Sequence, residues 1–267
     1  MPRLGVVGLV SLDRVDGDLP RLGGAPFYAA RALRLLGHPA VIATKVADED
    51  RHRLNALGLP LATRPAERTI AFGIESRGEQ RSLELEELGA TWTPADARGW
   101  LASELSGVDW VHAGALTRAD FPAETLAALR RGRRLSLDGQ ALVRPARLGG
   151  VELDAAYDPE VLRNVDVLKL AEEELETLSL DVGERSLASL GVGEVVVTLG
   201  RRGAVVYADG LAEHVPTRPL DGVDTTGAGD VFSTAYASFR LRRHGPPSAA
   251  RLAGGVTHAL LSGWRGR

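Results

Sequence analysis

Apolar runs and stretches of helical spacing alternate along most of this chain. Leu4-Gly5-Val6-Val7-Gly8-Leu9-Val10 is apolar throughout, the pattern of a strand covered on both faces. Shorter runs over 41–44, 108–112, 135–138, 165–168 and 194–198 read as further strands. Between them, apolar positions recur three and four apart. Residues 27–36 predict a helix, with Pro26 in its first turn and Gly37 closing it. Residues 122–131 predict another, ended at Gly132, and the last two run from Val231 and over about 248–261. Strands and helices in this alternation predict an α/β fold, a doubly wound and mostly parallel sheet flanked by helices.

Two regions depart from that rhythm. Residues 69–75 and 81–86 alternate with period two around Arg77-Gly78-Glu79, which predicts a hairpin. Residues 203–208 and 211–215 predict a second one. The region 60–92 therefore reads as a small β lid on a single domain spanning 1–267. No internal repeat or low-complexity linker interrupts it.

The chain has 267 residues, 44% hydrophobic and 25% charged, enough apolar material for a sizeable core. A net charge of −3 argues against nucleic acid or an anionic membrane as the main partner. With no cysteine, disulfides, thiolate catalysis and Cys-ligated zinc are excluded. The first apolar run is followed at once by Asp13, Arg14 and Asp16, so it does not read as a signal peptide. No apolar run reaches the roughly 18 residues that a membrane span needs, and the expected location is the cytoplasm.

Candidate chemistry concentrates at Asp224-Thr225-Thr226-Gly227-Ala228-Gly229-Asp230, directly before the helix that starts near Val231. Gly227, Ala228 and Gly229 let a ligand approach the backbone, and the first amides of a helix have no internal partners. The helix dipole adds partial positive charge, so the turn reads as an anion hole, with phosphate the usual anion. A carboxylate in such a place, Asp230, is suited to take a proton from a hydroxyl that attacks the held phosphoryl group. A plain N-cap turn with a first-turn acid fits the same residues.

This stretch resembles the signature of the ribokinase, or phosphofructokinase-B, family, Asp-Thr-x-Gly-Ala-Gly-Asp, and matches all seven positions. The resemblance runs from about Leu4 to the C-terminus and implies a ribokinase-like fold. It also implies ATP-dependent transfer, with Mg2+, to a hydroxyl of a small polyol, sugar or nucleoside. Asp230 would be the general base and Gly227, Ala228 and Gly229 the anion hole. Asp13 matches the acid that holds substrate hydroxyls. Gly23, Gly24, Ala30 and Gly37 match the first family signature, but Tyr28 stands where that signature has an asparagine. Either the substrate differs from ribose or Tyr28 offers its own hydroxyl. Asp138-Gly139-Gln140-Ala141-Leu142-Val143-Arg144 is similar to inositol-kinase-like members, with Gln140 and Arg144 implied at the substrate or its phosphate. Lys169, Thr198, Gly200 and Gly203 are implied nucleotide contacts. Glu174 takes the acid position of the family's Asn-x-x-Glu motif, reaching Mg2+ through water, while Ala171 replaces the Asn. Asp224 and Thr226 match positions near a monovalent-cation (K+) site in some relatives, and the rest of that site is not recognisable around Trp264. Dimers through the lid are implied as well. His38, His112, His214, His244 and His258 stand alone and read as structural or solvated. Tyr28 and Ala171 motivate a different class of function, a sugar- or polyol-binding protein that has lost catalysis.

Overall fold

The computed structural model describes residues 3–77, 80–220 and 222–263, at 76, 77, 80 and 81 by their backbone alone; Gly78, Glu79 and Trp264 lie outside the described residues. In chain order the strands are β1 (Leu4–Gly8), β2 (Ser11–Val15), β3 (Arg21–Gly23), β4 (Ala40–Ala47), β5 (Leu61–Ala66), β6 (Ala71–Arg77), β7 (Gln80–Glu87), β8 (Trp110–Gly114), β9 (Arg134–Asp138), β10 (Gly149–Gly150), β11 (Val167–Ala171), β12 (Glu194–Thr198), β13 (Ala204–Ala208) and β14 (Leu211–Val215). The helices are α1 (Ala25–Leu36), α2 (Pro94–Arg98), α3 (Trp100–Glu104), α4 (Ala123–Arg130), α5 (Gln140–Val143), α6 (Glu172–Thr177), α7 (Glu184–Ser189), α8 (Ala228–Leu241) and α9 (Pro246–Gly263).

Among the described residues a nine-stranded sheet runs in the order β14-β13-β12-β11-β9-β8-β1-β4-β5. It is parallel from β12 to β5, and β13 and β14 are antiparallel. Both faces are covered. Val7, Leu126, Leu137, Leu168 and Leu175 pack on one side, and Leu4, Val6, Leu33, Phe232 and Ala249 on the other. That double coverage explains why β1 is buried at every position and reads as a continuous apolar run. The chain leaves β1 toward β4 on one side and takes up β8 on the other. The carboxyl ends beside that reversal, at Gly8, Gly114 and Asp138, are where open α/β sheets place ligands.

A second, five-stranded sheet runs β10-β7-β6-β2-β3. The period-two pattern located its hairpin, β6 and β7. The rest of the sheet comes from elsewhere in the chain. Asp13 does not end the first strand. It sits within β2, opposite Arg21 of β3 and Phe72 of β6. Conversely, residues 61–66, inside the 60–92 region, belong to the large sheet, where β5 pairs with β4.

Two helices set the site. Helix α1 begins at Ala25, two residues before the sequence pattern suggests, with Gly24 as its cap at φ 81° and Pro26 in its first turn. A side chain at 24 would meet the Leu9 carbonyl at 2.3 Å, so glycine is needed both for its conformation and for the close approach. Helix α8 is buried at every residue from Val231 to Ser238. It lies between α1 and α9 and against the sheet, so it is apolar around its circumference rather than on one stripe.

Candidate active site

The signature turn forms the N-terminus of α8. Gly227 is the cap residue in the left-handed region, at φ 76°. Ala228, Gly229 and Asp230 are the first helical residues. The Ala228 amide donates to the Thr225 carbonyl at 3.0 Å, and the first helical bond is Val231 N to Gly227 O at 3.0 Å. That geometry leaves the Gly229 and Asp230 amides with no carbonyl one turn back, so these two carry the anion-binding capacity of the helix end. The Ala228 amide is engaged in closing the turn.

Asp230 is half-buried and faces a dense group of charges. Burial and then the Asp138 carboxylate push its pKa up to about 8, against the opposing pull of Lys169 and Arg144. A base poised there is near the pH at which it would work. Lys169, on β11, donates to Asp138 Oδ1 at 3.1 Å, and both side chains are almost wholly buried. Burial alone would pull the Lys169 ammonium down, but Asp138 and Glu174 outweigh it and hold the proton on. Its Nζ lies against the backbone of the anion hole, 2.8 Å from where a Cβ at Gly229 would be.

Arg144 follows α5. It donates to the Leu116 carbonyl at 3.2 Å and lies over the Phe72 ring of the small sheet, 5.7 Å from its centre. Among the described residues, Arg144 Nε and Gln140 Oε1 are buried with no hydrogen-bond partner. Asp13 projects from β2, and burial raises its pKa despite a hydrogen bond with Ser11. Gly23, opposite Ser11 on the neighbouring strand, lies under that carboxylate: a Cβ there would fall 1.9 Å from Asp13 Oδ2. Tyr28 joins the two halves of the site. Its ring packs on Gly227, where a Cβ would come within 2.2 Å of it. Burial, then Asp13, then Asp230 hold its phenol proton well above the ordinary tyrosine range. Asp13, Tyr28, Arg144, Lys169 and Asp230 thus act on one another electrostatically across both sheets and α1.

Other residues singled out in the sequence have structural partners. Glu174 is buried and its Oε2 accepts from the Ala171 amide at 2.7 Å, closing the first turn of α6. Burial raises its pKa, opposed mainly by Lys169. Among the described residues no group of three or more His, Cys, Asp or Glu could hold a metal ion by itself. Asp224 Oδ1 accepts from the Thr226 amide at 2.9 Å and hydroxyl at 2.6 Å, and its Oδ2 from Arg21 at 3.2 Å. The two residues proposed for K+ therefore bind each other and the small sheet. Thr198 ends β12 with its hydroxyl on the Leu170 carbonyl at 3.2 Å. Gly200 and Gly203 flank the 3-10 turn that follows, both in the left-handed region. A broad groove lined by Arg51, Leu54, Asn55 and Leu61 lies beside edge strand β5 and contains none of these residues.

Sequence reasoning missed two members of the cluster. Asp138 is central, since it faces Lys169 and Asp230. His112 does not stand alone: its Nε2 is 3.9 Å from Asp138 Oδ2 and its Nδ1 is 3.1 Å from Ser136 Oγ. Both residues sit at or near carboxyl ends of neighbouring parallel strands, the one signal that could have flagged them.

The family model described as pfkB family carbohydrate kinase matches residues 13–261. A fructokinase of Rhizobium leguminosarum bv. trifolii is 30% identical over 245 residues, covering 84% of this chain and 73% of its own. An inositol 3-kinase of Oryza sativa subsp. japonica is 36% identical over 124 residues, 43% of this chain and 30% of its own. Among solved structures, a pyrophosphate-dependent kinase in the ribokinase family, complexed with a pyrophosphate analog and myo-inositol, superimposes with a TM-score of 0.80. It is 24% identical over 97% of this chain and 95% of that one, a likeness of fold. Among the described residues no helix is long and apolar enough to cross a membrane. The fold is ribokinase-like, and from Asp13 to Leu261 the chain belongs to the pfkB family of carbohydrate kinases, phosphotransferases that act on hydroxyl groups.

Proposed function

We propose that this protein transfers a terminal phosphoryl group to a hydroxyl of a small polyol, sugar or nucleoside in the cytoplasm, with Asp230 as general base. The observation that carries the reading is the seating of Asp230 in the first turn of α8, beside free amides and within electrostatic reach of Asp13. The acceptor would lie between the small sheet and α8, held by Asp13 and the backbone at Gly23 and Gly24. Tyr28, Gln140 and Arg144 would supply further polar contacts. The unpartnered Gln140 Oε1 and Arg144 Nε are buried polar atoms that a bound hydroxyl or its water would satisfy.

The donor phosphate would bind the Gly229 and Asp230 amides, with the Lys169 charge beneath. Members of the family generally use ATP with Mg2+. With no protein-only metal site among the described residues, Mg2+ would arrive on the donor's phosphates and meet the protein through water, Glu174 being the nearest acid implied. Nucleotide contacts would fall along Thr198, Gly200 and Gly203. For its part, the chain positions the two reactants, keeps a cationic floor under the developing charge, and accepts the hydroxyl proton at Asp230. No observation favours the binding-protein alternative. Phosphoryl transfer from Mg-ATP and from Mg-pyrophosphate, assayed against myo-inositol, D-fructose, D-ribose and a nucleoside, tests the reading. Turnover of at least one acceptor is expected, and no turnover across the panel overturns it.

A further inference from the structure

Behind the anion hole a line of buried polar groups leads to Lys169, and apart from that lysine the phosphoryl-transfer reading does not use them. Trp110 Nε1 donates to Ser136 Oγ at 2.9 Å, and Ser136 Oγ is 3.1 Å from His112 Nδ1. An indole is only a donor, so the serine oxygen accepts from Trp110 and has its own proton to give. Giving it to His112 Nδ1 places the ring proton on Nε2, which faces Asp138 Oδ2 at 3.9 Å. The other oxygen of Asp138 takes the Lys169 ammonium at 3.1 Å, and Lys169 lies against Gly229. All of Trp110, His112, Ser136, Asp138 and Lys169 are buried, at 7% exposure or less.

The gap between His112 and Asp138 is too long for a direct hydrogen bond. Beside the His112 ring is a small cavity of about 10 Å³, the room of one water molecule, lined by His112, Ser136, Lys169, Phe232, Ser233 and Tyr236 but not by Asp138. His112 Nε2 and Ser233 Oγ are buried and lack partners among the described residues, and a single water satisfies both. Burial lowers the His112 pKa, which keeps the ring neutral and its tautomer meaningful.

We propose that Asp138 is a positioning residue of the phosphotransfer site. It pins the Lys169 ammonium under the anion hole, and is itself faced by the Nε2–H of His112 at 3.9 Å. Trp110 and Ser136 fix that tautomer. This rests on the phosphoryl-transfer reading. A lysine chain is flexible, and an unpinned ammonium would swing between the carboxylates of Asp138, Glu174 and Asp230, which all act on it. Pinned on Asp138, it leaves Asp230 open toward the acceptor and keeps its charge where the phosphoryl group develops negative charge.

The test uses Asp138→Asn, which keeps the shape and one acceptor oxygen but removes the charge, and Ser136→Ala, which frees the histidine tautomer. With whichever donor and acceptor the wild type turns over, Asp138→Asn should lower kcat by roughly 10- to 100-fold and leave the acceptor KM within about threefold. Ser136→Ala should lower kcat severalfold in the same pattern. Wild-type kcat in Asp138→Asn, or a raised acceptor KM with kcat retained, overturns the proposal. Imidazole nitrogen resonances read the relay without turnover. A neutral His112 ring protonated on Nε2 is expected in the wild type near pH 7, and a loss of that single tautomer in Ser136→Ala. A wild-type ring protonated on Nδ1, or charged, overturns the relay even in an active enzyme. Should Asp138→Asn fail to fold, Ser136→Ala and the ring resonances still decide. Absence of turnover in the wild type would instead count against the phosphoryl-transfer reading, and the ring resonances would remain decisive for the relay.

Discussion

On the phosphoryl-transfer reading, Asp230 would act as the base because it is an acid in a place that resists ionisation. Its pKa, near 8, means that the unprotonated form needed to accept a proton grows in as pH rises. For the wild-type enzyme, kcat/KM should climb with pH and level off above about 8. Asp230→Asn should cut kcat by roughly a thousandfold, within the range for loss of a general base. The same substitution should raise thermal stability at pH 8. A carboxyl whose folded pKa lies above its unfolded value costs the fold stability as pH rises between the two, and the amide removes that cost. A variant both inactive and less stable would mean that Asp230 is a structural cap.

A second residue-scale prediction concerns Gly227. Alanine there would have to hold φ 76° and push a methyl into the Tyr28 ring. Gly227→Ala should cost about 2 kcal/mol in unfolding free energy and lower turnover with it, read by denaturant titration. Asp230 and the glycines were legible in the sequence because their chemistry is local: a turn, a helix start, an acid in the first turn. Asp138, His112 and Lys169 come together only because β8, β9 and β11 lie side by side. Spacing along the chain carries no trace of that. Lys169 could be singled out as a phosphate contact, but its partner could not.

At the scale of elements, what holds α8 in place is found at its far end. Glu194, buried at the start of β12, accepts from Tyr236 Oη at 2.5 Å and from Arg240 at 3.0 and 2.7 Å. Removing one partner of a buried ion pair strands the others. Glu194→Ala should therefore lower unfolding free energy by about 3 kcal/mol, measurable by chemical denaturation; a change below about 1 kcal/mol would show that the contact is incidental. The parallel strands and the two long helices of the site were readable, since burial on both faces writes itself as apolar runs. The small sheet was readable only in its hairpin. Ser11–Val15 carries Asp13 and Arg14 and looks like a turn, and β3 is three residues long. β2 is a strand because the hairpin offers it an edge, and β3 because β2 then offers it one. The short 3-10 helix over Asp48–Leu57 likewise reads as a polar turn until Leu54 and Leu57 are seen to be buried.

Across the whole molecule, charge and burial set an acid limit. His38 follows α1, is buried, and has neither ring nitrogen hydrogen-bonded among the described residues. Burial, then Arg242, lowers its pKa to about 4. Between that value and its unfolded one, near 6.5, the unfolded chain binds the proton and the folded protein does not. Stability therefore falls as pH drops through this window. His38→Leu should remove that part of the slope, gaining on the order of 3 kcal/mol over wild type at pH 4 relative to pH 7. The two pH–stability curves checked against each other isolate this group from Asp230, whose contribution slopes the opposite way.

The Glu194 anchor also decides which half of the protein can adjust to its reactants. With α8 fastened at its distal end and walled in by α1 and α9, the amides of Gly229 and Asp230 are a stationary dock. On the phosphoryl-transfer reading, breathing that admits an acceptor and expels water would fall to the strands that carry Asp13, which the ion pair between Arg21 and Asp224 ties to the signature turn. Acceptor capture would then be the moving step, with the phosphate held in wait.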